Sequence, residues 1–334
     1  MAKVIVTGGA GMIGSNLVKR LIKLNYEVHV IDNLWRGKLE YLNDFETGEP
    51  VINLKNNFHE IDLSYPIPMS PIFEGTEYII HLADIVAGIG YVFNNQSSIF
   101  RQNILINSNT IEFARKLGIN GFLYAGTACS FPAELQNSFE YSLLREKDLF
   151  PANPESAYGW SKLMGIYESG LLEKETDIMV VSLLFHNVYG APCDYSEERS
   201  QVIPSLIRKA IMYPENDFVV WGSGKQGRAF IHIDDVVNAI LRGLEQGFGK
   251  GYIQVGPDFS TTIAEIAESI VEISGKDIPI KFDTSKPEGD KARAADYTLA
   301  RKVLGWEPEI DLKAGLRQTY EWIEKQMNKT GSLK

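Results

Sequence analysis

Cysteine is scarce in this chain: Cys129 and Cys193 are the only two among 334 residues. Two cysteines make neither a disulfide framework nor a cysteine-built metal cluster, so no metal site is expected. Long apolar runs are missing as well. None approaches the eighteen or so residues that a membrane-spanning helix needs. The opening MAKVIVTGG enters a strand pattern directly, without the basic and then apolar stretches of a secretory signal. The expected location is therefore cytoplasmic. Positive charge is outnumbered, with 33 lysines and arginines against 43 acids and a net charge of −10. A nucleic acid or an anionic membrane rewards a basic surface, so neither is expected as a partner. A small anionic ligand stays open, because a few local arginines can hold it.

What is present is ordinary for a soluble globular protein: 44% hydrophobic and 23% charged residues. The length allows one large domain or two ordinary ones. Short apolar runs recur at 4–6, 28–31, 78–82, 122–124 and 179–181. Ile13, Leu17, Leu21 and Leu24 mark one helical face between the first two. Further helical patterns span about 97–117 and 156–173. Continuous apolar strands alternating with helices predict an α/β fold with a doubly wound parallel sheet. From Gly190 the texture changes, with denser proline, glycine and charge. Residues 218–241 read as strand, glycine turn, strand, helix. A helix follows at 263–273, then a charged loop at 285–294 and a terminal helix ending near Met327. No repeat or low-complexity linker separates the halves, so the second region is expected to interleave with the first.

VIVTGGAGMIG places Gly8, Gly11 and Gly14 three residues apart, after a strand and at the opening of an amphipathic helix. Glycines there let the backbone turn tightly and approach a pyrophosphate at the helix N-terminus. Asp32 ends the next strand, where an acid bonds the ribose hydroxyls of a dinucleotide. The same acid repels a 2′-phosphate, which favours NAD over NADP, although Arg36 and Lys38 follow closely. Tyr158 and Lys162 lie four apart in ESAYGWSKLMG and share a helical face. A lysine cation beside a phenol favours the phenolate. Such a tyrosine takes a proton from a substrate hydroxyl while hydride leaves for the nicotinamide. Thr127 closes the 122–127 strand, where its hydroxyl can bond the same substrate oxygen, and Cys129 stands two residues further on.

These motifs, with HLAD (81–84), GTACSFP (126–132), FHNVYG (185–190) and GRAFIHIDDVV (227–237), resemble the extended short-chain dehydrogenase/reductase family of nucleotide-sugar epimerases and dehydratases. Within it, ADIVAGIGYVFNNQS (83–97), the Ala-Cys pair 128–129 and the tail from PEGDKARAAD to LGWEP are most similar to the GDP-mannose 3,5-epimerases. The resemblance implies a Rossmann NAD-binding domain over 1–185 and about 229–254. A smaller, interleaved nucleotide-sugar domain would take about 186–228 and 255–334. It implies that Met12, Ile13, Asn33, Asp62, Leu63, Leu82 and Ala83 join Gly8, Gly11, Gly14, Asp32, Tyr158 and Lys162 around NAD. It places Gly88, Ile89 and Gly90 near the sugar, and Asn187, Arg228 and Arg293 near the diphosphate of a GDP-sugar. It gives Cys129 an acid–base role. It also implies a homodimer through the helices at about 97–117 and 156–173, with a higher oligomer possible.

Several positions depart from the family pattern. The second acid–base lysine would fall in RSQVIPSL, at Val202 or a neighbour, and none is there. Leu184 stands where arginine is frequent, and Gly126 replaces a serine. No Asp-Glu pair follows Thr127, so the acid–base pair of the 4,6-dehydratases is missing. Inverting a carbon beside a ketone needs a base on one face and an acid on the other. Cys129 is a candidate for one role, and His186 or water for the other. Three functions remain open on the sequence: an epimerase at C3/C5 or C4, a 4-dehydrogenase, and a non-catalytic sensor of NAD or a nucleotide sugar.

Overall fold

The apolar runs of the first half become strands of one parallel sheet in a computed structural model that describes residues 1–330. They are β1 (Lys3–Thr7), β2 (Glu27–Asp32), β3 (Phe58–Glu60), β4 (Thr76–His81), β5 (Gly121–Thr127), β6 (Met179–Phe185) and β7 (Gly251–Val255), in the order β7-β6-β5-β4-β1-β2-β3. Their apolar continuity follows from burial on both faces: Val4, Ile5 and Val6 are all fully enclosed.

Seven helices matter to the site: α1 (Met12–Lys23), α2 (Gln96–Leu117), α3 (Ala157–Glu175), α4 (Val202–Met212), α5 (Ile233–Arg242), α6 (Ile263–Ser274) and α7 (Leu312–Thr330). On one sheet face, Leu17 and Leu21 of α1 pack with Val236 and Ile240 of α5. On the other, Ile106 and Phe113 of α2 meet Leu163 and Ile166 of α3. A third core joins Ile207 of α4, Ile270 of α6 and Ile323 of α7. Local chemistry sets the helix ends. Ser156 caps α3 by accepting from Gly159 N–H at 3.2 Å. Thr262 and Glu265 form a reciprocal capping box on α6. Gly118 ends α2 with φ of 61°. The expected strand–turn–strand–helix at 218–241 appears as Val219–Trp221, Gly227–Arg228, Phe230–His232 and α5.

The strand order reverses around β1, which has β4 on one side and β2 on the other. Ligands of open parallel sheets sit in the crevice at the carboxyl ends of the strands at this point. Among the described residues, no helix is long and apolar enough to cross a membrane.

Candidate active site

At the crevice, Gly8 adopts φ of 68°, and a Cβ there would lie 2.8 Å from the amide nitrogen of Ala83. Only glycine lets the ends of β1 and β4 close in this way. A Cβ on Gly14 would run into the carbonyl oxygen of Gly8. Gly11 begins α1 without a side-chain cap. The first-turn N–H groups, from Met12 and Ile13 onward, thus have no side-chain cap and suit an anion. Asp32 accepts from Ala10 N–H at 3.0 Å and from Leu34 N–H at 2.8 Å. Burial raises its carboxyl above the usual range, against the pull of these two donors. This cradle fits a dinucleotide: an uncapped helix N-terminus over glycine, with an acid at the end of the neighbouring strand.

The other residues expected around NAD are held by local bonds. Asn33 accepts from Trp35 N–H at 3.1 Å. Asp62 accepts from the N–H and hydroxyl of Ser64, and Leu63 beside it is buried. Leu82 and Ala83 N–H both donate to Thr7 Oγ1 at 3.2 Å. Arg36 is already engaged, donating to Val86 O at 2.9 Å and pairing with Asp194 at 3.4 Å. Lys38 lies over the ring of Tyr41.

Behind this layer runs a polar chain. With two N–H groups already on its oxygen, the Thr7 hydroxyl gives its own proton to His81 Nδ1 at 2.7 Å. His81 Nε2–H then donates to Asn107 Oδ1 at 3.0 Å. Burial, with the nearby Lys162 charge, pushes His81 down to about 3, so the ring is neutral. Lys162 itself pairs with Asp84 at 3.0 Å, the two side chains only 4% and 5% exposed. Its ammonium also lies 4.6 Å from the ring centroid of Tyr124. The lysine expected to act on Tyr158 therefore has a carboxylate partner that the sequence reasoning did not single out.

Tyr158, half-buried in the first turn of α3, stands beside Thr127. Burial raises its phenol well above the ordinary value, and the Asp84 and Cys129 charges add to this. Thr127 also accepts from Cys129 N–H at 3.2 Å. Gly159 packs so tightly that a Cβ would overlap the Cys129 carbonyl. The start of α3 is thus locked onto the turn that carries the cysteine.

Arg293 organises the opposite wall. It donates to Cys129 Sγ at 3.4 Å, Asn187 Oδ1 at 3.2 Å, Gln136 Oε1 at 2.8 Å and Asp290 Oδ2 at 2.8 Å. Arg228 donates to Glu288 O at 3.4 Å. Burial pushes it down to about 10, with the Arg293 charge contributing. Across from them, Gly88 N–H donates to Arg199 O at 3.3 Å, and a Cβ on Gly90 would touch the ring of Trp221 at 3.1 Å. Ile89 lies between these glycines, and its Cδ1 approaches Gly289. Val202 opens α4 just past this contact. So the structure brings Thr127, Cys129, Tyr158, Asn187 and Arg293 into one cluster, with Arg228 beside it.

Two of the departures meet each other: Gly126 and Leu184 are partners in the β5–β6 register. His186 is enclosed instead of lining the cleft, with Nε2 at 2.9 Å from Gln254 Oε1. Burial pushes it down to about 3, which removes it as a proton donor. Sequence reasoning passed over Asp84, Gln136 and Asp290. Asp84 was within reach, as an acid closing the apolar run of HLAD. The other two acquire their meaning only from Arg293.

A family model described as "NAD dependent epimerase/dehydratase family" matches residues 4–256. The GDP-mannose 3,5-epimerase of Arabidopsis thaliana is 33% identical over 98% of this chain and 83% of its own length. The GDP-L-fucose synthase of Escherichia coli (strain K12) is 32% identical over 73% of this chain and 79% of its own. Among solved structures, the UDP-glucose 4-epimerase of Thermotoga maritima, crystallised with UDP-glucose, superposes with a TM-score of 0.85 at 28% identity. That match covers 97% of this chain and 99% of the other. Glycine cradle, Thr127–Tyr158 pair and whole-chain similarity agree, and the chain belongs to the NAD dependent epimerase/dehydratase family.

Proposed function

We propose that this protein is an NAD-dependent epimerase of a GDP-linked sugar, working through a transient ketone at C4. The observation that carries this is Cys129, whose sulfur is held by Arg293 beside the Thr127–Tyr158 pair. Gly8, Gly11, Met12, Ile13, Gly14 and Asp32 would hold NAD, which when bound takes up a hydride and returns it. Thr127 and Tyr158 would bind the reacting hydroxyl, and Tyr158 would remove its proton. A ketone at C4 acidifies the protons at C3 and C5, and Cys129 would exchange one of them. Asn187, Arg228 and Arg293 suit the diphosphate, because fixed cations and donors complement its charge. Guanine is favoured because relatives of both kinds, the GDP-mannose 3,5-epimerases and the GDP-L-fucose synthases, bear names with GDP-linked sugars.

The reading includes a division into a Rossmann part, 1–185 with about 229–254, and a sugar part over the rest. It also includes a cytoplasmic homodimer through α2 and α3. Phe100 and Leu105 on α2 and Tyr167 on α3 support the dimer, being 39%, 38% and 59% exposed.

The decisive experiment incubates the protein with NAD and GDP-mannose in heavy water, with a GDP-heptose in parallel. Mass spectrometry follows the sugar, and absorbance follows NAD. Deuterium in the sugar without net reduction of NAD is the expected result for a C3/C5 epimerase. A C4 epimerase would change the recovered sugar with neither sign. Net reduction of NAD without deuterium would mark a 4-dehydrogenase, the function favoured by the absence of lysine in RSQVIPSL.

A further inference from the structure

Two cations, Arg36 and Lys38, follow Asp32 closely in the chain. An arginine near that acid is a common means of accepting the 2′-phosphate of NADP. The structure shows where both cations go. The segment after β2 folds back on the glycine turn. Lys38 N–H donates to Ala10 O at 3.1 Å, and a Cβ on Gly37 would lie 2.7 Å from the same oxygen. Ala10 N–H in turn donates to the Asp32 carboxylate. Arg36 therefore leaves the backbone close to the acid of the cradle.

Its guanidinium is held elsewhere. Nη1 donates to Val86 O at 2.9 Å, and Nε lies 3.4 Å from Asp194 Oδ2. Val86 belongs to the segment after β4, where Ile85 N–H donates to Asn103 of α2 at 2.8 Å. The guanidinium thus lies with the segment after β4, whereas Asp32 ends β2, with β1 between these two strands in the sheet.

Asp194 is a fixed partner. Its Oδ1 accepts from Ser196 N–H at 2.9 Å, and Arg199 Nε stands 3.9 Å from its Oδ2. Two further bonds tie the same stretch to the segment after β2. The Tyr41 hydroxyl donates to Cys193 O at 2.9 Å, and Arg199 Nη1 donates to Trp35 O at 2.7 Å. Lys38 is occupied as well, with its ammonium over the Tyr41 ring. Against the effect of burial, the Ser196 bond and the Arg36 and Arg199 charges hold the Asp194 carboxyl below its ordinary range. It is therefore ionised when it meets Arg36.

We propose that Asp194 is a specificity-determining residue for NAD, which acts by holding the Arg36 guanidinium away from Asp32 and so withholding the cation that a 2′-phosphate would need. The proposal rests on the dinucleotide cradle and is independent of which sugar is bound. Asp32 repels the extra phosphate directly. Asp194 adds to this by leaving that phosphate unpaired, and an unpaired charge is an effective way to reject a wrong ligand. Asp194 is thus a positioning residue that works through Arg36.

The test compares NAD and NADP by calorimetry on the full chain and on the variants Asp194→Asn, Asp194→Ser and Arg36→Gln. Two Asp194 variants are used so that either one suffices if the other fails to fold. Freed from its partner, Arg36 can turn to the 2′-phosphate. The affinity for NADP relative to NAD should then rise about tenfold, the scale of one charge-assisted hydrogen bond. Arg36→Gln alone should leave the ratio within about twofold of the parent, because the cation is already withheld. Added to an Asp194 variant, it should bring the ratio back. The pyrophosphate is common to both dinucleotides, so a contact with it would move both affinities alike and leave the ratio unchanged. An unchanged ratio in the Asp194 variants would overturn the proposal, and so would an equal loss of both affinities, which marks a merely structural role. A rise that survives Arg36→Gln would also overturn it, by showing that Asp194 acts through its own charge. Binding of neither dinucleotide to the unaltered protein would overturn the cradle itself and this proposal with it.

Discussion

The ammonium of Lys162 sits 3.0 Å from the carboxylate of Asp84, with both side chains almost wholly enclosed. A buried charge that loses its partner is costly, typically about 3–5 kcal/mol. Asp84→Asn keeps the shape and removes the charge, leaving Lys162 unpaired. Unfolding in urea should show a loss of about 3 kcal/mol. A variant as stable as the parent would mean that the pair contributes no net stability.

Tyr158→Phe removes only the phenolic oxygen that stands beside Thr127. Turnover should drop by about a hundredfold or more, the scale of a lost general base. Calorimetry should find NAD affinity little changed. Turnover at the parental rate would refute the assignment of Tyr158.

Cys129→Ala should abolish deuterium entry at C3/C5 while oxidation at C4 continues. If deuterium still enters at the parental rate, the cysteine is a packing residue, a role that suits a small, weakly polar thiol. Alkylation adds an independent check. Burial pushes the Cys193 thiol up to about 12, and its side chain is enclosed. Iodoacetamide at neutral pH should therefore mark Cys129 first, as read by peptide mass spectrometry.

Gly14→Ala puts a methyl group against the Gly8 carbonyl. Overpacking of this kind costs about 1–3 kcal/mol. Here the displaced loop is the one that should hold the pyrophosphate, so NAD affinity should fall about tenfold or more. Equal affinity would place the dinucleotide elsewhere.

His81 and His186 are both held neutral in the folded chain, pushed down to about 3 by burial. Unfolded, each would take a proton near its ordinary value of about 6.5. The unfolded state then binds more protons between these values, so stability should decline as pH falls below about 6.5. Each histidine adds a slope of about 1.4 kcal/mol per pH unit within that window. Urea titrations across the window should show a shallower slope for His186→Gln. Identical slopes would mean that the histidine is protonated in the folded state.

The sheet was legible because its signals are local. A strand buried on both faces must be apolar throughout, and Val4–Val6 or Phe122–Tyr124 announce this in a handful of residues. Gly8, Gly11, Gly14 and Asp32 could be read for a similar reason, since their spacing follows from one strand, one turn and one helix. Tyr158 and Lys162 needed only helical periodicity to be placed on one face.

The partners of those residues were not legible, because no local rule connects them. Asp84 and Lys162 are 78 positions apart and meet only because β4 ends beside α3. His186 looked like a spare acid in the sequence, yet β6 carries its ring to Gln254, away from the cleft. The sequence by itself therefore determined the fold class, the glycine turn at the head of α1 and the shared helical face of Tyr158 and Lys162, all encoded by short-range periodicity and backbone sterics. Tertiary structure alone decided which charges share a wall. Arg293 gathers Cys129, Asn187, Gln136 and Asp290 from segments up to 164 residues distant. A guanidinium taken out of water must satisfy its N–H groups with whatever acceptors the packed chain brings within reach.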